Sequence, residues 1–526
     1  MVIRLFFGLN LSLHKSLHFR WPEWITLGLY AILVISLIPR HEPWADEAQA
    51  WQLAKSLPLS TLFHKYLRYE GSPGLWHLLL WILARLHFSY AGMHWVCGAL
   101  GLFSSALLVF RAPFPRLIRL MLPFTYFLAF QYVLVARSYT LFPPLLFLLA
   151  MIWEERRTRP ILVAILLGLI ANVALHVATI SLGLAGVYTL EWWRERGTNR
   201  QNWARLRAMI LAAGLLMVLY LTLLWSAKPP ADLWYMNRTA TAPTDIHNNL
   251  SEPRLKVIRG LRTTVIDDHP IERIVVFSIG ALVWGIVQPF ILGVPFWLAV
   301  WWRLFRQSRL LYLIPMALFA SFSAFVLLSF WHAGLLFIYV IGMLWMTWPD
   351  SGTSTGNLSI RHAAFYIMFF YAILLQIGWA LFAVRYDWTH PYSPDSATAR
   401  FLRINLDQRT GVAVASFGGS AIGSYHSVGI EPYFDRSLFV NQPNAFWIWS
   451  NQNRTEQRFR ELLPSHPRFI MVEYVARESY QTQFDLLSPS IRAIEEQGYR
   501  HTHTFCGGRP RQFEVDVYNC HLIFER

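Results

Sequence analysis

The chain has 526 residues, of which 55% are hydrophobic and 16% aromatic, and it carries a formal net charge of +15. Soluble domains are about 45–50% apolar, and the excess here lies in long apolar blocks, which excludes a soluble globular protein. The arginines cluster in short connections between those blocks, as in the cytoplasmic loops of membrane proteins. No basic and aromatic surface pattern on a soluble domain supports nucleic-acid binding.

The first apolar block, residues 24–38, predicts an uncleaved transmembrane helix. Arg4, Lys15 and Arg20 precede it, and no small-residue cleavage site follows it, which argues against a signal peptide. Other blocks approach or exceed the roughly 20 residues that span a bilayer. The clearest are residues 161–175, 208–225, 277–302 and 365–384.

An acidic motif, residues 41–48, directly follows the first block. Its composition predicts a short helix over residues 45–57, with Asp46 near the start and Pro58 beyond the end. Carboxylates close to a membrane are costly and usually mark a site. The alternative is that Asp46 caps a surface helix and Glu47 only occupies its first turn. Because adjacent carboxylates do not share a helix face, we expect one of the two to react and the other to cap or pair.

Residues 75–88 form a short apolar segment, and the parity of the crossings requires both its ends outside. At roughly 14 residues it is short for a span, so we predict an interfacial or re-entrant helix. The alternative is a true crossing. Glu70 lies just before the Pro73-Gly74 turn that opens the segment, and it is a candidate to contact substrate.

Short basic connections fix the predicted sidedness. The groups at 111–119, 154–159, 194–207 and 303–309 are assigned to the cytoplasm, with the N-terminus. The intervening connections then face outward, including loops 40–73 and 228–273. About eleven crossings result, with juxtamembrane helices in addition.

Three outward connections contain further candidate site residues. Arg137 and Tyr139 open one helix, where a guanidinium can grip a phosphate bidentately or merely extend to lipid headgroups. His176 and His332 lie at two other outer helix ends. Each can hydrogen-bond a phosphate or a sugar hydroxyl, and a structural hydrogen bond is the alternative for both.

The C-terminal region, residues 386–526, is predicted to be a soluble extracytoplasmic α/β domain following a transmembrane module of residues 1–385. Strand-like runs (412–417, 469–475, 513–518) alternate in it with helix-like runs (396–406, 455–463, 481–497). Of the three cysteines, Cys97 lies in an apolar block, whereas Cys506 and Cys520 share this polar region. If the region faces an oxidising compartment, those two can pair, and their spacing does not indicate a metal site.

Four short motifs, in this order, resemble those of the GT-C class of integral-membrane glycosyltransferases. The likeness covers roughly residues 20–350 and is greatest to the branch of protein O-mannosyltransferases and lipid A aminoarabinose transferases. The motifs are the Asp-Glu pair at 46–47, the Pro-containing segment 70–75, the Ala-Arg-x-Tyr sequence 136–139, and the His-Ala-Gly at 332–334 of a helix ending in Trp345.

The resemblance implies a GT-C-like fold and an inverting glycosyltransferase that uses a polyprenyl-phosphate sugar on the outer side of the membrane. Asp46 would be the base that activates the acceptor, or a ligand of metal or substrate, and Arg137 would contact the donor phosphate. An inverting transfer needs a base on the acceptor side and positive charge on the leaving phosphate. Acceptors in such families are proteins, lipid-linked saccharides or envelope glycans. A bacterial plasma membrane is the expected location.

Two departures from the family pattern concern the metal. The family often has Pro-Pro where this chain has Pro73-Gly74, and no second acidic residue lies beside Arg137. We therefore expect a metal-independent site and no cofactor.

Two other classes of function remain open from the sequence. A transporter predicts internal repeats and broken helices near the bilayer midplane, and the charged candidates here lie near the outer surface instead. A membrane-anchored sensor or assembly protein would bind its ligand with the outer domain and would make the acidic motif incidental.

Overall fold

The computed structural model describes residues 20–195, 203–233, 290–325, 330–348, 360–406, 411–415, 423–435, 437–453, 455–476, 491–511 and 514–526. These residues are mostly helical, and a small sheet lies near the C-terminus. The main helices are α1 Trp21–Leu37, α2 Ala45–Ser56, α3 Leu75–Arg85, α4 Tyr90–Arg111, α5 Arg116–Met121, α6 Phe142–Ile152, α7 Pro160–Ala171, α8 Leu175–Glu195, α9 Trp203–Ala227, α10 Phe290–Arg306, α11 Ile314–Phe325, α12 Phe330–Met346, α13 Ile360–Thr389, α14 Asp395–Asn405 and α15 Thr455–Leu462.

Within the described residues, three helices are long and apolar enough to cross a membrane: α4, the 206–227 part of α9 and the 364–389 part of α13. Large apolar side chains point outward from several helices, as Leu221 and Leu224 do on α9 and Ile367 and Leu381 on α13. Outward apolar surface of this kind is stable against lipid tails. The predicted helical membrane module is therefore seen in its main features. The described residues do not give the number of crossings.

The apolar block at 161–175 was predicted as one continuous span, but the structure divides it between two helices. Its helix, α7, ends at Ala171, and α8 begins at Leu175. Asn172 causes the break, because its Nδ2 donates to the carbonyl of Gly168 at 2.9 Å and to that of Leu219, on the neighbouring α9, at 3.1 Å. A side-chain amide that takes up backbone carbonyls competes with continuation of the helix.

The other predicted apolar blocks agree with the observed helices to different extents. The 208–225 and 365–384 blocks lie within α9 and α13, and α10 covers the end of the 277–302 block. Residues 277–289 lie outside the described residues, as does loop 228–273 beyond residue 233. The segment at 75–88 forms α3, whose 11 residues extend only about 16 Å and so fall short of the bilayer core.

The two ends of the helices differ in charge. At one end Arg116 pairs with Glu23 at 2.8 Å, while Arg156 and Arg309 both reach Glu191, each at 2.8 Å. These residues belong to, or pack against, the basic connections assigned to the cytoplasm. The opposite ends, where α1 ends and α4, α8 and α12 begin, bring the candidate site residues together.

The C-terminal region contains a four-stranded sheet in the order β1-β2-β4-β3. Its strands are β1 Val412–Ala415, β2 Phe469–Ala476, β3 Arg500–Arg511 and β4 Glu514–Glu525. The pairing of β1 with β2 is parallel, and the other two pairings are antiparallel. Alternate residues face opposite sides: Val412 and Val414 pack with Leu402 of α14, while Ala413 and Ala415 pack with Phe459 of α15. The sheet is therefore covered by a helix on each face.

Three of the four strands were predicted, although with different ends, and β3 was missed. Its sequence, from Arg500 to Arg511, is rich in polar residues and lacks the apolar alternation of a half-buried strand. The predicted helix at 481–497 lies largely outside the described residues, and residues 491–496 are helical. Cys506 and Cys520 face each other across β3 and β4 and form a disulfide, whereas Cys97 is a buried free thiol.

Candidate active site

Asp46 lies in the first turn of α2 and is paired with Arg137. The Nη1 of Arg137 donates to Oδ2 of Asp46, and the two side chains are 26% and 18% exposed. Helix α2 begins at Ala45, after the extended Trp44. Arg137 directly precedes the turn Ser138–Leu141, which leads into α6. The predicted acidic and basic residues therefore meet, and they remain in contact with solvent.

Glu47 occupies a quite different environment from its neighbour. It is completely buried, and its Oε2 accepts from the backbone N–H of Ala136 at 2.6 Å and lies 3.0 Å from His94 Nε2. Its Oε1 accepts from the N–H of Trp44 at 3.1 Å and lies 3.9 Å from His41 Nε2. One carboxylate thus joins the start of α2 to the backbone that presents Arg137. We expected one of the two acids to cap the helix or pair with a neighbour, and Glu47 does both.

A second buried acid completes this network. His41 Nδ1 lies 3.1 Å from Asp387 Oδ1, at the end of α13. Burial alone would lower the pKa of His41, but Asp387 and Glu47 outweigh it and raise that pKa to about 10. Burial would likewise raise the pKa of Glu47, yet the neighbouring His41 and His94 lower it to about 2. His41 is therefore protonated and Glu47 ionised at neutral pH, and their attraction helps to hold the start of α2 in place.

Aromatic rings surround the guanidinium of Arg137. Its Cζ lies 5.8 Å from the ring centre of Trp44, 5.6 Å from that of Tyr139 and 5.9 Å from that of Trp331. These distances allow cation–π attraction, which holds the guanidinium in place without using up its N–H donors.

A chain of contacts leads away from Arg137. The Tyr139 hydroxyl is hydrogen-bonded to His332 Nε2 at 2.7 Å, and the His332 ring stacks on that of His176 with centroids 3.9 Å apart. Both histidines lie in the first turns of their helices, α12 and α8. The residues predicted separately at three outer connections therefore form one row beside the ion pair.

Glu70 is linked to the site through Gln49 of α2. Gln49 of α2 donates from Nε2 to Glu70 Oε1 at 2.7 Å and to the carbonyl of Trp447 at 2.9 Å, and its Oε1 accepts from the N–H of Trp447 at 2.8 Å. Burial raises the pKa of Glu70 to about 7, with Asp46 adding to the effect. Glu70 thus holds its proton to a higher pH than an exposed glutamate does, and it accepts a hydrogen bond from an amide that also binds the C-terminal region.

The C-terminal region contributes a residue that the sequence did not indicate. Tyr425, in the turn Gly423–Gly429, donates its hydroxyl to Asp46 Oδ1 at 2.7 Å. Its ring centre lies 4.6 Å from that of Trp449. A single signal was present, the aromatic run at residues 446–449, but nothing in the sequence linked that run to a motif about 400 residues earlier.

Every candidate residue is therefore placed in one connected region, with Asp46 and Arg137 at its centre. The described residues contain no group of three or more His, Cys, Asp or Glu side chains arranged to hold a metal ion. A separate apolar cavity of about 340 Å³ lies between α10 and α11. Its lining includes Trp297, Trp301 and Met316 and contains no titratable side chain, so we place no chemistry there.

Comparison with known proteins gives limited guidance. The chain matches no known family model and no curated protein sequence. Among solved structures it is similar to the crystal structure of ArnT from Cupriavidus metallidurans bound to undecaprenyl phosphate, with 13% identity and a TM-score of 0.48, over 95% of this chain and 97% of that one. Similarity at this level does not assign the chain to a family.

Proposed function

We propose that the chain is a membrane-embedded glycosyltransferase that transfers a sugar from a polyprenyl-phosphate donor to a hydroxyl acceptor on the outer face of the membrane. The observation that supports this most is the Asp46–Arg137 pair. It joins two sequence motifs 91 positions apart, it is partly exposed, and a buried network fixes both partners. A carboxylate beside a guanidinium is the minimum that an inverting transfer to a hydroxyl requires.

The proposed reaction is a direct displacement at the anomeric carbon of the donor. Asp46 takes the proton of the acceptor hydroxyl as its oxygen forms a bond to that carbon. The bond from the carbon to the phosphate oxygen breaks, and the polyprenyl phosphate leaves with the electron pair. Arg137 stabilises the negative charge on the phosphate, and the aromatic rings around it lower the local dielectric and so strengthen the attraction. No acid is needed on the leaving group.

The neighbouring residues take supporting roles in this proposal. Tyr139, His332 and His176 form the row next to Arg137 and offer hydrogen bonds to the phosphate or the sugar. We assign Glu70, which Gln49 holds near Asp46, to contact with the acceptor. Glu47 is inaccessible, since none of its side chain is exposed, so we assign it a positioning role and leave the proton transfer to Asp46. We propose no metal and no cofactor.

The proposed orientation places the N-terminus in the cytoplasm and the C-terminal region outside, in a plasma membrane. The Arg-rich helix ends lie opposite the site, in keeping with basic loops on the inner side. The Cys506–Cys520 disulfide supports an oxidising compartment for the C-terminal region.

A transporter fits the observations less well. Among the described residues before 390, the buried acids and arginines are Glu23, Glu47, Arg303 and Asp387, and each lies near a helix end. Charged groups of a substrate path are expected deeper in the bundle. We therefore favour an enzyme whose site lies at one membrane surface.

Transfer from short-chain polyprenyl-phosphate sugars by the purified protein tests the proposal. Asp46→Asn should lower turnover by about 10²–10⁴-fold, because removing a general base costs that much. Arg137→Lys, which keeps the charge but loses the planar fork, should weaken donor use while retaining some turnover. Asp435→Asn, at an exposed position in the C-terminal region, is the matched control and should behave as wild type.

The turnover of these variants decides whether Asp46 acts as the base. Wild-type turnover lost in Asp46→Asn but retained in Asp435→Asn supports the assignment, and chelator resistance would favour a metal-free site. Equal turnover by wild type and Asp46→Asn would remove Asp46 from the mechanism and return the motif to a helix cap.

A further inference from the structure

Both oxygens of the proposed base are already occupied. Arg137 donates to Oδ2 of Asp46, and the Tyr425 hydroxyl donates to Oδ1 at 2.7 Å. A base must come within about 2.6–3.2 Å of the hydroxyl whose proton it takes. In this arrangement Oδ1 is the oxygen left for the acceptor, and a hydroxyl from the chain itself lies on it.

Tyr425 is held there by contacts on both sides of its turn. The next residue, His426, donates its backbone N–H to Glu473 Oε2 of β2 at 3.0 Å, and its ring stacks on Trp44 with centroids 6.5 Å apart. The Tyr425 ring packs against Trp449, and Tyr425 itself is only 6% exposed. The turn Gly423–Gly429 therefore closes over Asp46 and closes against the sheet behind it.

The geometry points to an acceptor subsite at this position: we propose that the Tyr425 hydroxyl stands in for the acceptor hydroxyl on Asp46 Oδ1, and that the acceptor is a saccharide. The inference rests on the proposed function. The acceptor hydroxyl displaces the phenol, donates to Oδ1 in its place and then loses its proton to Asp46. Displacing the turn uncovers the part of Trp449 on which the Tyr425 ring packs, and an apolar aromatic face suits the C–H face of a sugar ring.

The alternative is that Tyr425 takes part in the chemistry, passing the proton from the acceptor to Asp46. The two roles predict opposite effects of losing the hydroxyl. A place-holding hydroxyl competes with the acceptor, so its removal favours acceptor binding. A relay is needed in every turnover, so its removal abolishes transfer.

Tyr425→Phe, made in the full chain and reconstituted in lipid nanodiscs, separates these roles. Its ring still packs on Trp449, but the hydrogen bond to Asp46 is lost. Tyr499→Phe is the matched control, because Tyr499 lies in the same region and donates its hydroxyl to the carbonyl of Pro467, away from Asp46. Wild type and both variants are compared by carbodiimide labelling of Asp46, read by mass spectrometry, and by transfer to methyl glycosides, to a serine-containing peptide and to water.

We expect Tyr425→Phe to increase the labelling of Asp46 and to lower the glycoside concentration for half-maximal transfer by about tenfold, the effect of one hydrogen bond to a charged group, with the maximal rate retained. Tyr499→Phe should match wild type in both measurements. Labelling that does not change in Tyr425→Phe would show that the contact is absent in the membrane and would overturn the proposal.

Each remaining outcome would overturn one part of the proposal. Increased labelling with abolished transfer would make Tyr425 a proton relay and overturn the place-holding role. Transfer to the peptide or to water, and to no glycoside, would overturn the saccharide class. Increased labelling without any turnover by wild type would reject the proposed function and the acceptor subsite with it, whereas the contact itself would stand.

Discussion

At the scale of single residues, Asp46 and Glu47 show how adjacent, chemically similar side chains acquire different tasks. Asp46 is 18% exposed at the side chain, and Glu47 is completely buried. The helix geometry that separates their faces was evident from the sequence, but which acid would be buried was not. That choice depends on His94, on the N–H of Ala136 and on His41, and these contacts exist only after the helices have packed.

Replacing Glu47 by Gln should affect stability and activity together. The amide carries N–H donors where the carboxylate accepts from Trp44 and Ala136, and it leaves the protonated His41 without one of its anionic partners. Removing one member of a buried ionic network costs about 3–5 kcal/mol, so the thermal midpoint should fall and transfer should fall with it. Asp46→Asn should lose transfer at nearly unchanged thermal midpoint. If Glu47→Gln were as stable as wild type but inactive, Glu47 would be catalytic rather than positioning.

At the scale of secondary-structure elements, a helix or strand was predictable where the local sequence pattern alone determines it. The short helix α2 and the strands β1 and β2 follow apolar or capping patterns that act locally. The end of α7 at Ala171 and the strand β3 were not predictable, because a partner element determines both. Asn172 ends α7 by bonding a carbonyl of α9, and β3 is a strand because β4 pairs with it along its length.

Close helix packing gives a test at this scale. A Cβ on Gly183 of α8 would lie 2.5 Å from the Cα of Pro315 in α11, whereas a Cβ on Gly186, one turn further along α8, would meet nothing within 4 Å. Because backbone cannot move aside cheaply, Gly183→Ala should destabilise by about 1–3 kcal/mol. Gly186→Ala should be neutral or stabilising by up to about 1 kcal/mol, from helix propensity. Thermal unfolding of the two variants in the same detergent measures the difference, and equal midpoints would show that α8 and α11 are not in such close contact.

At the scale of the whole molecule, the C-terminal region and the helical region share buried titratable groups. Burial raises the pKa of Asp395, at the start of α14, to about 8. The strand and helix pattern of the C-terminal region could be predicted from its sequence, whereas its contact with α2 could not. Gln49, Trp447 and Tyr425 meet through tertiary packing, which no local period encodes.

These groups give the stability a definite pH dependence between about pH 6.5 and 8. The folded state keeps a proton on Asp395, whose pKa is raised to about 8, and on His41, whose pKa is raised to about 10. In the unfolded chain Asp395 is ionised throughout this window and His41 loses its proton as pH rises from about 6.5. The unfolded chain therefore binds fewer protons, and these two groups make stability fall as pH rises, by up to about 1.4 kcal/mol per pH unit per group. His426 and His521, whose pKa values burial lowers to about 3, act in the opposite sense near pH 6.5, where each is still partly protonated in the unfolded chain, and their effect fades as pH rises towards 8.

Asp395→Asn should reduce that slope, since Asn imitates the protonated acid and cannot ionise. Thermal midpoints measured from pH 6.5 to 8 should then fall less steeply than in wild type, while Asp435→Asn, at an exposed position, should follow wild type. A slope unchanged by Asp395→Asn would mean that Asp395 is ionised in the folded protein.

The Asp46–Tyr425 hydrogen bond spans 379 positions and the Gln49–Trp447 bonds span 398. Ribosomes add about 5–20 residues per second, so the acidic motif emerges and then waits roughly 20–80 s for its C-terminal partners to be made. During that interval Asp46, Glu47 and the tryptophans around them lack their contacts with the C-terminal region. Asp46 and Arg137 are only 91 positions apart, so they can pair long before Tyr425 is made, and a nascent chain truncated before the C-terminal region would leave that pair uncovered.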